Sequence, residues 1–166
     1  MADLAALNSL PAGEAQAALF RCCGSTRWAE RMLAHRPFAS RDQLHALADT
    51  EWEVLDSPDW LEAFAAHPRI GDIESLRKKF ASTASWCEGE QAGVGEARES
   101  VIQALAEGNR QYEARFGHIF IVCATGKSAE EMLAILRSRL ANDRSEEVRI
   151  AAAEQAKITR IRLEKL

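Results

Sequence analysis

The sequence lacks the features that mark several large classes of protein. No apolar run approaches the roughly 20 residues of a membrane-spanning helix, although apolar residues make up 47% of the 166 positions. The segment Met1 to Leu4 has no positively charged side chain, so we expect no secretory signal. The net charge of −4 argues against nucleic-acid binding, which depends on clustered lysine and arginine. We therefore expect a globular protein that binds neither nucleic acid nor a membrane.

Cysteine is scarce, and it is not spaced for metal binding. The sequence has no CxxC pair and no zinc-finger spacing of cysteine and histidine. It also has no HxxxH or HExxH motif, so a metal site built on His67, Asp72 or His118 is not favoured. We interpret Cys22, Cys23, Cys87 and Cys123 as reduced thiols of a cytoplasmic protein. The adjacent pair Cys22-Cys23 suits helix packing better than a redox role.

Strand signals are almost absent, and helix signals dominate. Apolar residues recur three or four positions apart, behind the cap candidates Ser25, Ser40, Ser57, Ser128 and Ser145. The one continuous β-prone run is residues 119–124, and no second strand is available to pair with it. We predict an all-α, single-domain bundle over residues 1–166, with about eight helices and one buried extended segment. Buried extended backbone needs hydrogen-bond partners, and a bound ligand is one of them.

Two polar residues lie on the apolar stripe of the last predicted helix. The stripe consists of Val148, Ala151, Gln155, Ile158, Arg162 and Leu166, three or four positions apart. Gln155 and Arg162 should therefore face the core. A guanidinium there needs an acidic partner or an anionic ligand, so Arg162 is a structural ion pair, a snorkelling helix end or a ligand contact.

A helical pattern stops at His67-Pro68. Pro68 pushes His67 out of helical geometry, so the helix should end about here. The His67 side chain can accept or give up a proton near neutrality. The residues alone allow either a capping histidine at a helix end or a catalytic histidine at the edge of a pocket.

A second polar cluster, Cys87-Glu88-Gly89-Glu90-Gln91, follows Trp86. Two acids and an amide near a helix start suit proton transfer and hydrogen bonding to a polar ligand. They equally suit the positive end of a helix dipole. Cys87 has no base nearby in the sequence that would make it a nucleophile.

Taken together, these motifs resemble those of the OHCU decarboxylases. OHCU is 2-oxo-4-hydroxy-4-carboxy-5-ureidoimidazoline, an unstable intermediate of urate breakdown. The resemblance covers the chain from about residue 10 onward and rests on three ordered motifs and the C-terminal segment: His67-Pro68-Arg69-Ile70-Gly71, Trp86 to Val94, Phe116 to Ser128, and Asn142-Asp143 with Glu154, Lys157-Ile158 and Arg162-Leu163.

The resemblance implies an all-α enzyme that forms (S)-allantoin and CO₂ without a cofactor or a metal, as a possible homodimer. It implies that His67 and Glu90 are the catalytic residues. The implied substrate contacts are Pro68, Cys87, Glu88, Gly89, Gln91, Ile119, Phe120, Ile121, Val122, Cys123 and Arg162. Cys87 stands where many members carry serine, and a thiol donates only a weak hydrogen bond. The alternative is an all-α binding or scaffolding module with no chemistry.

Overall fold

The computed structural model describes residues 3–68, 73–81 and 92–166, which contain nine helices and no strand. The helices are α1 (Leu4–Ser9), α2 (Ala12–Cys23), α3 (Thr26–Leu33), α4 (Arg41–Glu53), α5 (Ser57–Ala65), α6 (Ile73–Ala81), α7 (Ala92–Phe116), α8 (Ala129–Leu140) and α9 (Arg144–Leu163). The all-α prediction is confirmed. Within the described ranges no helix is both long enough and apolar enough to cross a bilayer.

Three of the five predicted caps begin helices through a side-chain hydrogen bond. The hydroxyl oxygen of Ser25 accepts from the Trp28 amide at 3.3 Å. Ser40 and Ser128 cap α4 and α8 in the same way, at 3.1 and 3.2 Å. Each bond satisfies an amide that has no partner inside the first turn of the helix.

The caps predicted at Ser57 and Ser145 are wrong. Helix α5 is preceded by Asp56. At α9 the Asp143 carboxylate accepts from the Glu146 amide at 2.8 Å and from the Ser145 hydroxyl at 2.9 Å. A carboxylate three residues before an orphan amide reaches it directly, so the helix begins before Ser145.

The chain divides into two compact units. Unit 1 is Met1–His67, Ile121–Cys123 and Val148–Leu166, and unit 2 is Pro68–Phe120 and Ala124–Glu147. In unit 1 two fully or nearly buried indoles donate to backbone carbonyls, Trp28 to Ala48 at 3.0 Å and Trp52 to Ala152 at 2.8 Å. A buried indole N–H needs such an acceptor, so these bonds fix α3 and α4 in the core.

Gly24 ends α2 in a left-handed conformation, with φ +83°. Its amide donates to the Phe20 carbonyl at 2.7 Å. A Cβ at this position would lie only 2.7 Å from the Cβ of Ala66. Both the backbone conformation and the space therefore require glycine here.

In unit 2, α7 packs closely against α8 because Gly108 has no side chain. A Cβ on Gly108 would lie 2.5 Å from Cδ2 of Leu136. The backbone of α7 is helical through Gly93 and Gly95.

A buried ion pair stands at the start of α9 in unit 2. Glu147 is fully buried and Arg139 is 5% exposed. The Glu147 carboxylate accepts from Arg139 Nε at 2.6 Å, from the Tyr112 hydroxyl at 2.5 Å and from Asn142 Nδ2 at 3.1 Å. Burial and the Glu147 contact raise the pKa of Tyr112, so the phenol keeps its proton. The sequence motifs did not predict this cluster.

Residues 119–124 form neither helix nor strand. Ile121 and Cys123 are buried, whereas Phe120 and Val122 are partly exposed. The predicted buried extended segment stays a prediction.

Candidate active site

His67 lies just beyond the end of α5. The helix ends at Ala65, and the His67 amide still donates to the Phe64 carbonyl at 3.2 Å. The imidazole is half-buried. The predicted helix end is confirmed, and it leaves the side chain outside the regular helix.

The His67 ring contacts a fully buried amide. Its Nε2 lies 2.5 Å from Oε1 of Gln155, and Gln155 has no exposed surface. The other end of that amide, Nε2, donates to Oγ1 of Thr159 at 3.1 Å. A carbonyl oxygen only accepts hydrogen bonds, so His67 Nε2 is the protonated nitrogen in this contact.

The surroundings of His67 favour its neutral form. Burial lowers its pKa below 6.5, the hydrogen bond to Gln155 opposes that shift, and the charge of Arg162 lowers the pKa further. A neutral imidazole has one N–H and one lone pair. His67 can therefore accept a proton at pH 7 and give it up again.

The positive charge of Arg162 lowers the pKa values of other groups of unit 1 besides His67. Its charge lowers the pKa values of Cys22 and Cys23, but burial is the larger effect and raises them to about 11 and about 12. Both thiols are free and stay protonated. Among the described residues Arg162 is in no ion pair, unlike its neighbours Lys157 and Arg160. The structural ion pair that would explain Arg162 is thus missing from this part of the chain.

The remaining predicted site residues are only partly described. Glu90 and the contacts Cys87, Glu88, Gly89 and Gln91 lie outside the described residues. Pro68 is exposed.

Some backbone groups of the predicted substrate segment already have protein partners. The Cys123 amide donates to Oε1 of Glu154 at 3.2 Å. The Ile119 carbonyl accepts from Nδ1 of His118 at 3.0 Å. Substrate contacts along residues 119–123 stay a prediction.

Gln155 and Thr159 are the site residues to which sequence reasoning gave no role. The position of Gln155 on an apolar stripe was the available signal, and its predicted burial is confirmed. Thr159 gave no signal because it lies outside the apolar stripe that the spacing predicts for the last helix, although it is buried. Within the described ranges no group of three His, Cys, Asp or Glu side chains could hold a metal ion.

Comparison with known proteins identifies the family. The family model described as OHCU decarboxylase matches residues 8–164. The chain belongs to the OHCU decarboxylase family. This agrees with the resemblance of the sequence motifs.

Relatives of this OHCU decarboxylase family member occur in plants and animals. The uric acid degradation bifunctional protein TTL of Arabidopsis thaliana is 38% identical over 147 residues, 87% of this chain and 45% of that protein. The 2-oxo-4-hydroxy-4-carboxy-5-ureidoimidazoline decarboxylase of Xenopus laevis is 29% identical over 130 residues, 78% of this chain and 74% of that protein. The chain thus spans less than half of the Arabidopsis protein.

The fold of this family member is also similar to solved structures. A crystal structure of an OHCU decarboxylase in the presence of (S)-allantoin superposes with a TM-score of 0.69 and 37% identity, covering 88% of this chain and 94% of that chain. A crystal structure of an (S)-allantoin synthase has a TM-score of 0.68 at 20% identity, and this second likeness concerns the fold alone.

Proposed function

We propose that this protein decarboxylates OHCU to (S)-allantoin and CO₂ in urate degradation, without a cofactor. The observation that carries the proposal is a neutral His67 at a helix end, bonded to buried Gln155 and close to the charge of Arg162. Membership of the OHCU decarboxylase family supports it. So does the similarity to an OHCU decarboxylase solved in the presence of (S)-allantoin.

The substrate itself can carry the electrons of this reaction. When the bond from C4 to the carboxylate breaks, its electron pair forms a C4=C5 double bond and the C5=N electrons move to nitrogen, which takes a proton. Transfer of a proton to C5 and loss of the 4-hydroxyl proton then give allantoin. No separate electron sink is needed, so the protein must only orient the carboxylate and deliver the proton to one face of C5.

His67 and Arg162 fit these tasks in different ways. A neutral His67 whose Nε2–H is bonded to Gln155 is suited to moving a proton at Nδ1 rather than to holding an anion. Arg162 carries a fixed charge and suits the carboxylate or the ring oxygens. Glu90 is proposed to bond the 4-hydroxyl, and Gln91 the ureido group. Pro68, Cys87 to Gly89 and residues 119–123 are proposed as further substrate contacts.

The experiment that tests the function follows the handedness of the product. OHCU is generated in situ, and the circular dichroism of the allantoin is recorded with and without the protein. Spontaneous decay gives racemic product, so the protein should produce a one-handed signal and faster CO₂ release. Racemic product at the uncatalysed rate would instead favour a binding or scaffolding module.

Replacing Arg162 by methionine should raise KM for OHCU about 10–100-fold, because a hydrogen bond to a charged group contributes about 1.5–3 kcal/mol. Lysine at this position should restore part of the loss, since the charge remains but the planar fork does not. Initial rates across OHCU concentrations measure the effect. Arg160→Met is the matched control, because Arg160 is exposed and lies 3.6 Å from Asp49. An unchanged KM in Arg162→Met would contradict the assignment.

The proposal includes a cytoplasmic homodimer with one domain over residues 1–166. The family match over residues 8–164 supports one domain. The three described cysteines are free thiols, which suits a reducing compartment. The proposed partner is the small-molecule substrate, with no nucleic acid and no membrane.

A further inference from the structure

The contacts behind His67 form a short chain of buried polar groups. They run from the imidazole to the Gln155 amide, from there to the Thr159 hydroxyl, and from there to the Cys23 thiol. We infer that Gln155, oriented by Thr159, is a positioning residue that holds His67 in the Nε2–H tautomer, so that proton exchange with the substrate takes place at Nδ1. This inference rests on the proposed function.

Water cannot replace these partners. Gln155 is fully buried, and Thr159 is 5% exposed. A buried polar atom without a partner is costly, since no solvent compensates for it. The Gln155 amide therefore has a partner at each end, His67 at its oxygen and Thr159 at its nitrogen.

The orientation of the Gln155 amide sets the direction of these hydrogen bonds. An amide can turn over and exchange its oxygen and nitrogen, which would present a donor to His67 and reverse the tautomer. In the structure Oε1 of Gln155 faces His67, and Nε2 of Gln155 donates to Oγ1 of Thr159 at 3.1 Å. The Thr159 hydroxyl oxygen is the acceptor that holds the amide nitrogen on the side away from His67.

The orientation of the Gln155 amide determines which ring nitrogen of His67 has the free lone pair. His67 is neutral at pH 7 because burial lowers its pKa, so the two ring nitrogens differ. The nitrogen that carries the proton is set by the hydrogen bond made at the other side of the ring. In the Nε2–H form, Nδ1 has the lone pair and can take a proton. In the opposite form the lone pair would point at Gln155.

Two isosteric changes separate this role from a purely structural one. Gln155→Met removes the acceptor while keeping a similar length. Thr159→Val removes only the hydroxyl, which frees the amide to turn over. Thr159→Ser keeps the hydroxyl and is the matched control. Nitrogen-15 NMR of the His67 ring reports the tautomer directly, and steady-state kinetics report kcat and KM.

We expect the wild-type protein and Thr159→Ser to show a protonated Nε2 and an unprotonated Nδ1. Gln155→Met and Thr159→Val should lose that preference and lower kcat about 10–100-fold, by analogy with the loss seen when the partner that fixes the tautomer of a metal-binding histidine is removed. KM should change little, because neither residue is proposed to touch the substrate.

The inference is overturned if wild-type His67 carries its proton on Nδ1, or if Thr159→Val and Thr159→Ser have the same tautomer and the same kcat. A loss of stability alone, with tautomer and kcat retained, would also overturn it. The NMR measurement needs no substrate. A fixed Nε2–H tautomer in a protein that yields only racemic allantoin would therefore refute the proposed function and leave the positioning role intact.

Discussion

Replacing His67 by alanine is expected to lower kcat for OHCU decarboxylation by a factor on the order of 10²–10⁴, the usual loss when a positioned acid–base group is removed. The protein would keep its charged contacts but have no group to move the proton to one face of C5. The product should accordingly lose its handedness. Stopped-flow release of CO₂ and the circular dichroism of allantoin measure both effects on freshly generated OHCU.

The matched control for this variant is His35→Ala. His35 is a partly exposed histidine of unit 1 that lies 2.9 Å from Glu51, and its loss should leave kcat unchanged. Added imidazole should restore part of the activity of His67→Ala if the ring acts as a proton carrier. Turnover at the wild-type rate in His67→Ala would show that this residue is not catalytic.

The pH profile gives a further check on the same histidine. Its folded-state pKa is lowered below 6.5, chiefly by burial, so the ring is neutral at pH 7 and becomes protonated only as the pH falls through that lowered value. Activity that needs the Nδ1 lone pair should be constant near neutrality and fall only as the pH drops through this lowered pKa. His67→Ala should lack this acid limb.

Replacing Arg139 by methionine is expected to lower the free energy of unfolding by about 3–5 kcal/mol, because it leaves the buried carboxylate of Glu147 without its cation. Glu147 has no exposed surface, so water cannot take over the lost contacts. Urea unfolding followed by far-UV circular dichroism gives the difference. The transition midpoint should move to lower urea, with an unchanged slope.

Two further variants show whether burial is the cause. In the double variant R139M/E147L both charges are gone, and most of the loss should be recovered, since an apolar pair can replace a buried ion pair. Arg110→Met removes an exposed arginine that pairs with Glu107 at 2.5 Å and should cost no more than about 0.5 kcal/mol. Equal losses in Arg139→Met and Arg110→Met would disprove the explanation.

The parts of the site that depend on local sequence could be predicted. The proline rule predicted the end of α5 at His67, and helical periodicity predicted a buried Gln155 on α9. Neither rule could place the imidazole on the amide, because His67 and Gln155 are 88 positions apart. Only tertiary packing brings such residues together.

The position of Arg139 in the sequence could have predicted a buried ion pair. Arg139 follows buried Leu136 by one helical spacing on α8, so it is a charge on an apolar stripe, as Arg162 is. The two differ in their partners. Arg139 has a carboxylate and a phenol within reach, whereas Arg162 is in no ion pair of the described chain. Arg139 is buried, and Arg162 is partly exposed. An arginine on an apolar stripe therefore indicates a need for an anion, and the sequence does not show whether protein or ligand supplies it.

The close approach of Gly24 to Ala66 has a consequence for how this sequence can diverge. A larger residue at position 24 would press on the last turn before His67, since a Cβ there would be 2.7 Å from that of Ala66 and 3.5 Å from the Ala63 backbone. Next to it, Cys23 contacts the Thr159 hydroxyl. The end of α2 therefore lies against Ala66, which precedes His67, and against Thr159, which bonds Gln155. Among homologues, substitutions at positions 23 and 24 should covary with those at 159 and 66.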